Sequence, residues 1–126
     1  MALRCVLVDD SPGFLEAGRR LLERQGISVV GVASTNAEAV RKVEELRPDL
    51  TLSDIDLGKE SGFDLARELA RSPNHTSPVI LISAHLEDDF ADLIRASPAL
   101  GFVSKTDLSA QAIRDILSRS TDQDSG

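Results

Sequence analysis

Short apolar runs alternate along the chain with segments whose apolar residues recur every three or four positions. The runs have the length of buried strands and occupy residues 3–8, 27–32, 50–53, 79–83 and 100–103. The segments that follow them, such as residues 12–25 with a stripe of Phe and Leu, have the periodicity of amphipathic helices. The pattern predicts five strands that alternate with five helices.

Residues with known capping preferences mark where the first two helices begin. Ser11 and Pro12 fit the N-cap and first position of the first helix, and Gly26 fits its end. Thr35 and Glu38 have the spacing of a capping box at the start of the second helix. We therefore place helix starts directly after the first two strands, and a polar loop at residues 73–78.

The alternation of strands and helices determines the expected fold class. Strands joined by helices pair in parallel, which gives an α/β fold with helices on both faces of one sheet. We expect a single domain over residues 1–119 and a flexible polar tail over residues 120–126. Ligands of such folds bind beyond the carboxyl ends of the strands.

Several polar residues fall at or just after the predicted strand ends, and they are Asp9, Asp10, Asp54, Ser83 and Lys105. Carboxylates gathered at one edge repel each other, and a divalent cation with a preference for oxygen, such as Mg²⁺, removes that cost. Together with an ammonium and a hydroxyl, this set of groups suits phosphoryl transfer. The carboxylate on the central strand, Asp54, is the candidate nucleophile.

Composition and charge narrow the range of functions. The formal net charge of −7 disfavours direct binding of nucleic acid, because phosphate backbones require clustered Lys and Arg. The single cysteine, Cys5, lies in an apolar run and has no partner for an internal disulfide, which fits a reducing compartment. No apolar run approaches the length of a membrane span, and no signal-peptide pattern is present. We therefore expect a cytoplasmic protein that does not bind membranes.

Four stretches in order along the chain resemble the receiver domain of bacterial response regulators. They are VLVDDS at residues 6–11, RPDLTLSDIDL at 47–57, ILISAH at 80–85 and GFVSK at 101–105. The resemblance implies a flavodoxin-like (CheY-like) doubly wound sheet of five parallel strands in the order 2-1-3-4-5, with five helices. It also implies a phosphorylation-dependent switch in a two-component system, with no enzymatic activity beyond its own phosphorylation and dephosphorylation.

The resemblance assigns roles at the phosphorylation site. Asp54 aligns with the phosphoryl acceptor, and Asp9 and Asp10 align with the acidic pair that holds Mg²⁺, for which Mn²⁺ can substitute. Asp56 aligns with the position whose backbone carbonyl also binds the metal. Lys105 aligns with the lysine that pairs with the phosphoryl group.

The resemblance also assigns the residues that transmit the switch. Ser83 aligns with the Ser or Thr that contacts the phosphoryl group, and Phe102 aligns with the aromatic residue whose rotamer reports phosphorylation. His85, two residues after Ser83, is not assigned by the resemblance: it is a candidate for tuning hydrolysis at the border of the site, and equally a candidate for a residue that only begins the next helix. The expected output is a changed surface on the fourth helix, fifth strand and fifth helix.

The sequence departs from the common receiver pattern at two positions. Gly58 stands where many receivers have proline, so the loop GKESG is expected to be more mobile. Thr106 stands where a proline with a cis peptide bond usually follows the lysine, so we expect a trans bond here. The missing proline and the stretch KTDLSAQAI are closer to the NarL/FixJ branch, whose members normally carry a DNA-binding domain that this chain is too short to hold.

The resemblance implies partners, and two other functions stay open at this stage. The expected partners are a sensor histidine kinase or phosphotransfer protein, a downstream protein target or output domain, and a second copy in a phosphorylation-dependent homodimer. The stretch DIDLG also resembles the nucleophile motif of haloacid-dehalogenase-type phosphatases, although those place it after the first strand. A degenerate receiver that only binds partners is the third hypothesis, and the intact acidic pair, acceptor and lysine argue against it.

Overall fold

The computed structural model describes residues 3–72, 78–85 and 87–125, so most of the predicted loop at 73–78, together with Leu86, lies outside it. The main strands are β1 Arg4–Val8, β2 Ser28–Ala33, β3 Leu50–Asp54, β4 Val79–Ser83 and β5 Gly101–Ser104. The α-helices are α1 Pro12–Arg24, α2 Asn36–Leu46, α3 Gly62–Arg71, α4 Ala91–Ala96 and α5 Ala110–Ser125. The predicted alternation is confirmed, with strand ends shifted by one residue in places.

The five strands form one parallel sheet in the order β2-β1-β3-β4-β5, as expected. Alternate residues of each strand point to opposite faces. On one face, Cys5 and Leu7 of β1 pack in a core with α1 and α5, whereas Val6 and Val8 pack with α2 and α3 on the other face. The sheet is therefore buried on both sides, which explains its continuous apolar strands.

The predicted helix starts are confirmed by their hydrogen bonds. The Ser11 hydroxyl accepts a hydrogen bond from the Phe14 backbone N–H at 3.3 Å, and the Thr35 hydroxyl accepts one from the Glu38 N–H at 3.2 Å. In a standard capping box the glutamate accepts a hydrogen bond from the N–H of the N-cap residue, which here is Thr35. The Glu38 carboxylate instead accepts one from the N–H of Ser34, one residue earlier, at 3.0 Å. These caps hold α1 and α2 directly behind the strands that precede them.

Three features differ from the sequence-based prediction. Residues Asp56–Leu57 and Glu60–Ser61 form a short antiparallel hairpin after β3, where a plain loop was expected. The fourth helical segment is a 3₁₀ turn, Glu87–Phe90, followed by the six-residue α4. The last helix runs to Ser125, whereas its apolar periodicity ends at Leu117 and no sequence pattern indicated a helix over the polar residues after it.

The chain topology places the candidate residues at the carboxyl edge of the sheet. Asp9 directly follows β1, Asp54 ends β3, Ser83 ends β4 and Lys105 directly follows β5. All four strands run in the same direction, so their ends meet at one edge. Among the described residues, no helix is both long enough and apolar enough to cross a membrane.

Candidate functional site

The Lys105 ammonium joins two carboxylates that come from different strands. Its Nζ lies 2.7 Å from Asp9 Oδ2 and 3.1 Å from Asp54 Oδ2. Asp9 is fully buried, Asp54 is nearly so, and the Lys105 side chain is one-fifth exposed. The contact with Asp9 is an ion pair, and Asp54 accepts a hydrogen bond from the same ammonium. The ammonium thus offsets negative charge that burial would otherwise make costly.

The remaining carboxylate oxygens of Asp9 and Asp54 are held by backbone N–H groups. Asp9 Oδ1 accepts a hydrogen bond from the Ser11 N–H at 2.9 Å, beside the N-terminus of α1. Asp54 Oδ1 accepts one from the Asp56 N–H at 3.2 Å. Each carboxylate is therefore fixed in orientation by its own loop as well as by Lys105.

Burial and charge shift the ionisation of the two central groups. Burial raises the pKa of the Asp54 carboxyl above its usual range, although the hydrogen bond from Lys105 acts in the opposite direction. Burial alone would lower the pKa of the Lys105 ammonium, but its contacts with Asp9 and Asp54 outweigh that effect and raise it. Lys105 is therefore charged at neutral pH, and Asp54 lies in a setting where added positive charge is favourable.

A group of three carboxylates could hold a metal ion. Asp9, Asp10 and Asp54 each offer an oxygen, and these oxygens lie within 4.8 Å of one another. Asp10 is exposed to solvent, whereas Asp9 Oδ2 is buried and has no hydrogen-bond partner among the described residues. Oxygen ligands of this kind suit Mg²⁺, which usually retains several of its waters, so the residues fit such an ion.

The hairpin after β3 closes the site on one side. Gly58 lies in its turn with φ of +76°, and its N–H donates a hydrogen bond to Asp56 Oδ1 at 3.2 Å. Proline, which has φ near −65° and no N–H, cannot adopt this turn. Gly58 also lies against the acidic pair, since a Cβ at that position would be 3.6 Å from Asp10 Oδ2. Gly58 thus allows a turn that proline, the residue common at this position in receivers, could not form.

Ser83 and Phe102 lie on the neighbouring strands β4 and β5, and β4 pairs with β3, which ends at Asp54. Ser83 is buried at the end of β4, and its hydroxyl accepts a hydrogen bond from the His85 N–H at 3.0 Å. Phe102 is half-buried on β5, and its backbone pairs with Leu81 of β4. The His85 ring is exposed and meets the edge of Phe90 at a centroid distance of 6.0 Å. His85 therefore packs against the 3₁₀ turn that precedes α4, and its backbone contacts Ser83 at the edge of the site.

Phe102 also lines a groove between β5 and α5. The groove has a volume of about 470 Å³ and an apolar floor that includes Val103 and Ile116. Asp88, Asp107, Asp115 and Arg119 stand around it. The expected output surface therefore contains a concave region that is in direct contact with the candidate switch residue.

Sequence reasoning missed two contacts at this edge. The Lys105 Nζ lies 4.1 Å from the centre of the Phe14 ring, in cation–π geometry. Glu60 of the hairpin accepts a hydrogen bond from the Asn36 N–H at 3.1 Å and so caps α2. The position of Phe14 in the first turn after the acidic pair was the available signal for the first contact. Glu60 gave no such signal, because the hairpin itself was not predicted.

Comparisons with known proteins agree with this geometry. The family model for the response regulator receiver domain matches residues 5–118. The crystal structure of a LuxR-family two-component response regulator from Aurantimonas sp. SI85-9A1 superposes with a TM-score of 0.81 at 29% identity, covering 94% of this chain and 84% of that chain. The signal receiver domain of the response regulator NarL from Mycobacterium tuberculosis superposes with a TM-score of 0.80 at 29% identity, covering 95% and 97%.

Curated relatives are longer than this chain. The DNA-binding transcriptional activator EvgA of Escherichia coli K12 is 28% identical over 103 residues, which cover 82% of this chain and 50% of EvgA. The chain spans about half or less of the length of the curated relatives that it matches. The similarity to NarL-type receivers is confirmed. The chain belongs to the response regulator receiver domain family of two-component signalling proteins.

Proposed function

We propose that the chain is a phosphorylation-dependent switch and that Asp54 accepts the phosphoryl group. A single observation carries the proposal: the Lys105 ammonium contacts the Asp54 carboxylate within a group of three carboxylates. In the transfer step, an Asp54 carboxylate oxygen forms a bond to phosphorus. With a phosphohistidine as donor, the bond from phosphorus to the imidazole nitrogen breaks. With a small acyl phosphate as donor, the bond from phosphorus to the acyl oxygen breaks. In both cases the leaving group keeps the electron pair.

The residues of this chain supply positioning and charge. Lys105 faces the carboxylate that is to be modified and stabilises the added negative charge as a point charge. Asp10, Asp54 and the Asp56 backbone carbonyl would hold Mg²⁺ or Mn²⁺. Asp9 would act mainly through a water molecule, because its Oδ2 is already paired with the Lys105 ammonium. When bound, the ion neutralises charge on the phosphoryl oxygens.

The switch in this proposal runs through Ser83 and Phe102. Ser83 uses its hydroxyl oxygen to accept from His85, so its hydroxyl hydrogen is free to point toward a phosphoryl oxygen on Asp54. Movement of Ser83 changes the packing beside Phe102, which then turns inward from the groove. The surface formed by α4, β5 and α5 changes as a shift between two packings of one fold.

The proposal extends to partners and location. A sensor histidine kinase or phosphotransfer protein supplies the phosphoryl group, and a downstream protein target or output domain meets the changed surface. A phosphorylation-dependent homodimer through the same surface belongs to the proposal, as does a cytoplasmic location. We do not expect the chain to bind nucleic acid itself, or to catalyse any reaction beyond its own phosphorylation and dephosphorylation.

A small acyl phosphate tests the acceptor. Incubation of the chain with acetyl phosphate and Mg²⁺ should add one phosphoryl group, measured by intact-mass spectrometry. Asp54→Asn should abolish the addition. Asp56→Asn is the matched control, because it retains the backbone carbonyl at that position and should still accept the group. Addition at a Ser or Thr, or unchanged addition in Asp54→Asn, would refute the assignment.

Metal affinity and amide chemical shifts test the other two steps. Asp10→Ala should weaken Mg²⁺ binding, and equal affinity in wild type and variant would exclude this site. Beryllofluoride, which mimics the phosphoryl group, should shift amide resonances of residues 85–113 more than those of residues 27–46. An unchanged ring environment of Phe102 would count against the switch.

The phosphatase hypothesis has a direct test as well. The acidic stretch DIDLG begins at the last residue of the third strand, whereas the phosphatases that it resembles carry the motif after the first strand. Repeated turnover of p-nitrophenyl phosphate by the chain would revive that hypothesis.

A further inference from the structure

We propose that Phe14 is a positioning residue for Lys105, and that the face of its ring holds the ammonium in place beside Asp54. The inference rests on the proposed role of Lys105 in phosphoryl binding. It assigns a part in the site to an aromatic residue of α1 that lies outside the acidic, hydroxyl and lysine positions discussed above.

The Lys105 ammonium has three close contacts, of which one is with an aromatic ring. Its Nζ lies 2.7 Å from Asp9 and 3.1 Å from Asp54, and the Phe14 ring centre lies 4.1 Å away. A lysine side chain is a flexible stem of four carbons, so two contacts with carboxylates leave it free to move when Asp54 changes. The negative face of an aromatic ring attracts a cation within about 6 Å of its centre. The ring therefore restrains the ammonium independently of the two carboxylates.

The neutral ring suits a site that must accept a phosphoryl group. A third carboxylate beside Lys105 would add negative charge where the incoming group brings more of it. The ring instead attracts the ammonium without net charge and offers no lone pair that competes for its N–H donors. Lys105 thus keeps its ion pair with Asp9, and its N–H donors stay available to Asp54 and to the phosphoryl group.

Gly18 provides the space in which the Phe14 ring lies. Gly18 is buried in α1, one turn after Phe14, although glycine is unfavourable inside a helix. A Cβ at Gly18 would lie 3.4 Å from Phe14 Cε2 and 3.1 Å from Leu7 Cδ2. An alanine would therefore press on both the ring and the core beneath it. The glycine explains how the ring can lie low against the helix, close to the sheet edge.

Substitution of the ring tests the proposal with a readout that is separate from phosphorylation. In the wild-type chain, the Phe14 ring should shift the NMR signals of the Lys105 ε-protons upfield. Phe14→Leu keeps an apolar side chain but removes the ring, and it should abolish this shift. It should also weaken beryllofluoride binding in the presence of Mg²⁺ by roughly two- to fivefold, the range expected for a partly exposed cation–π contact.

Fluorinated phenylalanines incorporated at position 14 separate ring electrostatics from ring shape. Successive fluorine atoms weaken the negative ring face while the shape changes little, so beryllofluoride affinity should fall step by step. Leu21→Ala is the control, because Leu21 packs from the same helix against the same core. It should lower stability and leave both the Lys105 signals and beryllofluoride affinity unchanged.

The outcomes distinguish this proposal from the broader function. Failure of the wild-type chain to bind beryllofluoride would overturn the proposed function, and this inference with it. If wild type binds but the fluorinated series shows equal affinity throughout, the positioning role is wrong and the proposed function stands. Unchanged Lys105 signals in Phe14→Leu would overturn the contact itself. If Phe14→Leu fails to fold, the fluorinated series decides the question alone.

Discussion

Replacement of Lys105 by methionine is the most informative single perturbation of the site. Lys105→Met retains most of the apolar stem and removes the ammonium that lies 2.7 Å from buried Asp9 and 3.1 Å from Asp54. Two carboxylates would then remain close together in a largely buried setting without their cation. We expect a marked loss of stability in the absence of metal.

The magnitude follows from these distances. At an effective dielectric constant of about 20, each attraction is worth roughly 5–6 kcal/mol before desolvation is counted. Removing one partner of a buried ion pair costs about 3–5 kcal/mol in measured cases. Lys105 is one-fifth exposed, and solvent compensates part of the loss. We therefore expect the free energy of unfolding to fall by about 2–4 kcal/mol at neutral pH.

The loss should depend on pH with a definite sign. The pKa of Asp54 is already raised by burial, and removal of Lys105 takes away the interactions that lower it. The folded state then holds a proton that the unfolded state releases above its ordinary pKa of 3.8. Stability of the variant should consequently fall as pH rises from that value toward the raised pKa, by up to about 1.4 kcal/mol per pH unit for each such proton.

Urea unfolding followed by far-UV circular dichroism is the suitable assay, because the chain has no Trp or Tyr for fluorescence. The measurement is made at pH 4.5 and pH 7, each with and without Mg²⁺. Lys59→Met is the matched control, since Lys59 is exposed in the neighbouring hairpin and its loss changes the net charge equally. An equal loss in both variants, or a loss in Lys105→Met that is the same at both pH values, would refute the reasoning.

Three further predictions follow from other parts of the chain. Gly58→Ala should cost about 1–2 kcal/mol because of the positive φ. Gly13→Ala should gain about 0.4–1 kcal/mol, because Gly13 lies in ordinary helix and a Cβ there would meet only the Ser11 hydroxyl, at 3.8 Å. Urea unfolding that gives both changes the same sign would contradict this. Burial raises the pKa of Cys5 to about 12, so iodoacetamide should modify the thiol only when the protein unfolds, and rapid alkylation of the folded protein would disprove this. Stability should also fall above pH 9.0, because the thiol of the unfolded chain ionises there while the buried thiol stays protonated. The chain should give no sequence-specific gel shift with DNA at physiological salt, as its net charge of −7 implies.

The sequence alone was sufficient for the five main strands, for the order of strands and helices, and for the edge where the site lies. Periodicity distinguished strands from helices, and Ser11 and Thr35 marked helix starts that hydrogen bonds now confirm. Parallel strands end at a common edge, so Asp9, Asp54 and Lys105 could be placed together before their distances were known. These predictions succeeded because capping and periodicity are local properties, and because the direction of parallel strands leaves little freedom in where their ends meet.

Only the tertiary structure decided which side chains meet across that edge. Phe14 and Lys105 lie far apart in sequence, and the 4.1 Å between ring and ammonium depends on how α1 packs against the sheet and on the space left by Gly18. The hairpin after β3 also depends on neighbouring elements, as does the hydrogen bond that its Glu60 accepts from the first N–H of α2. Such contacts arise from packing geometry at distances of a few ångströms, which the order of apolar and polar residues does not specify.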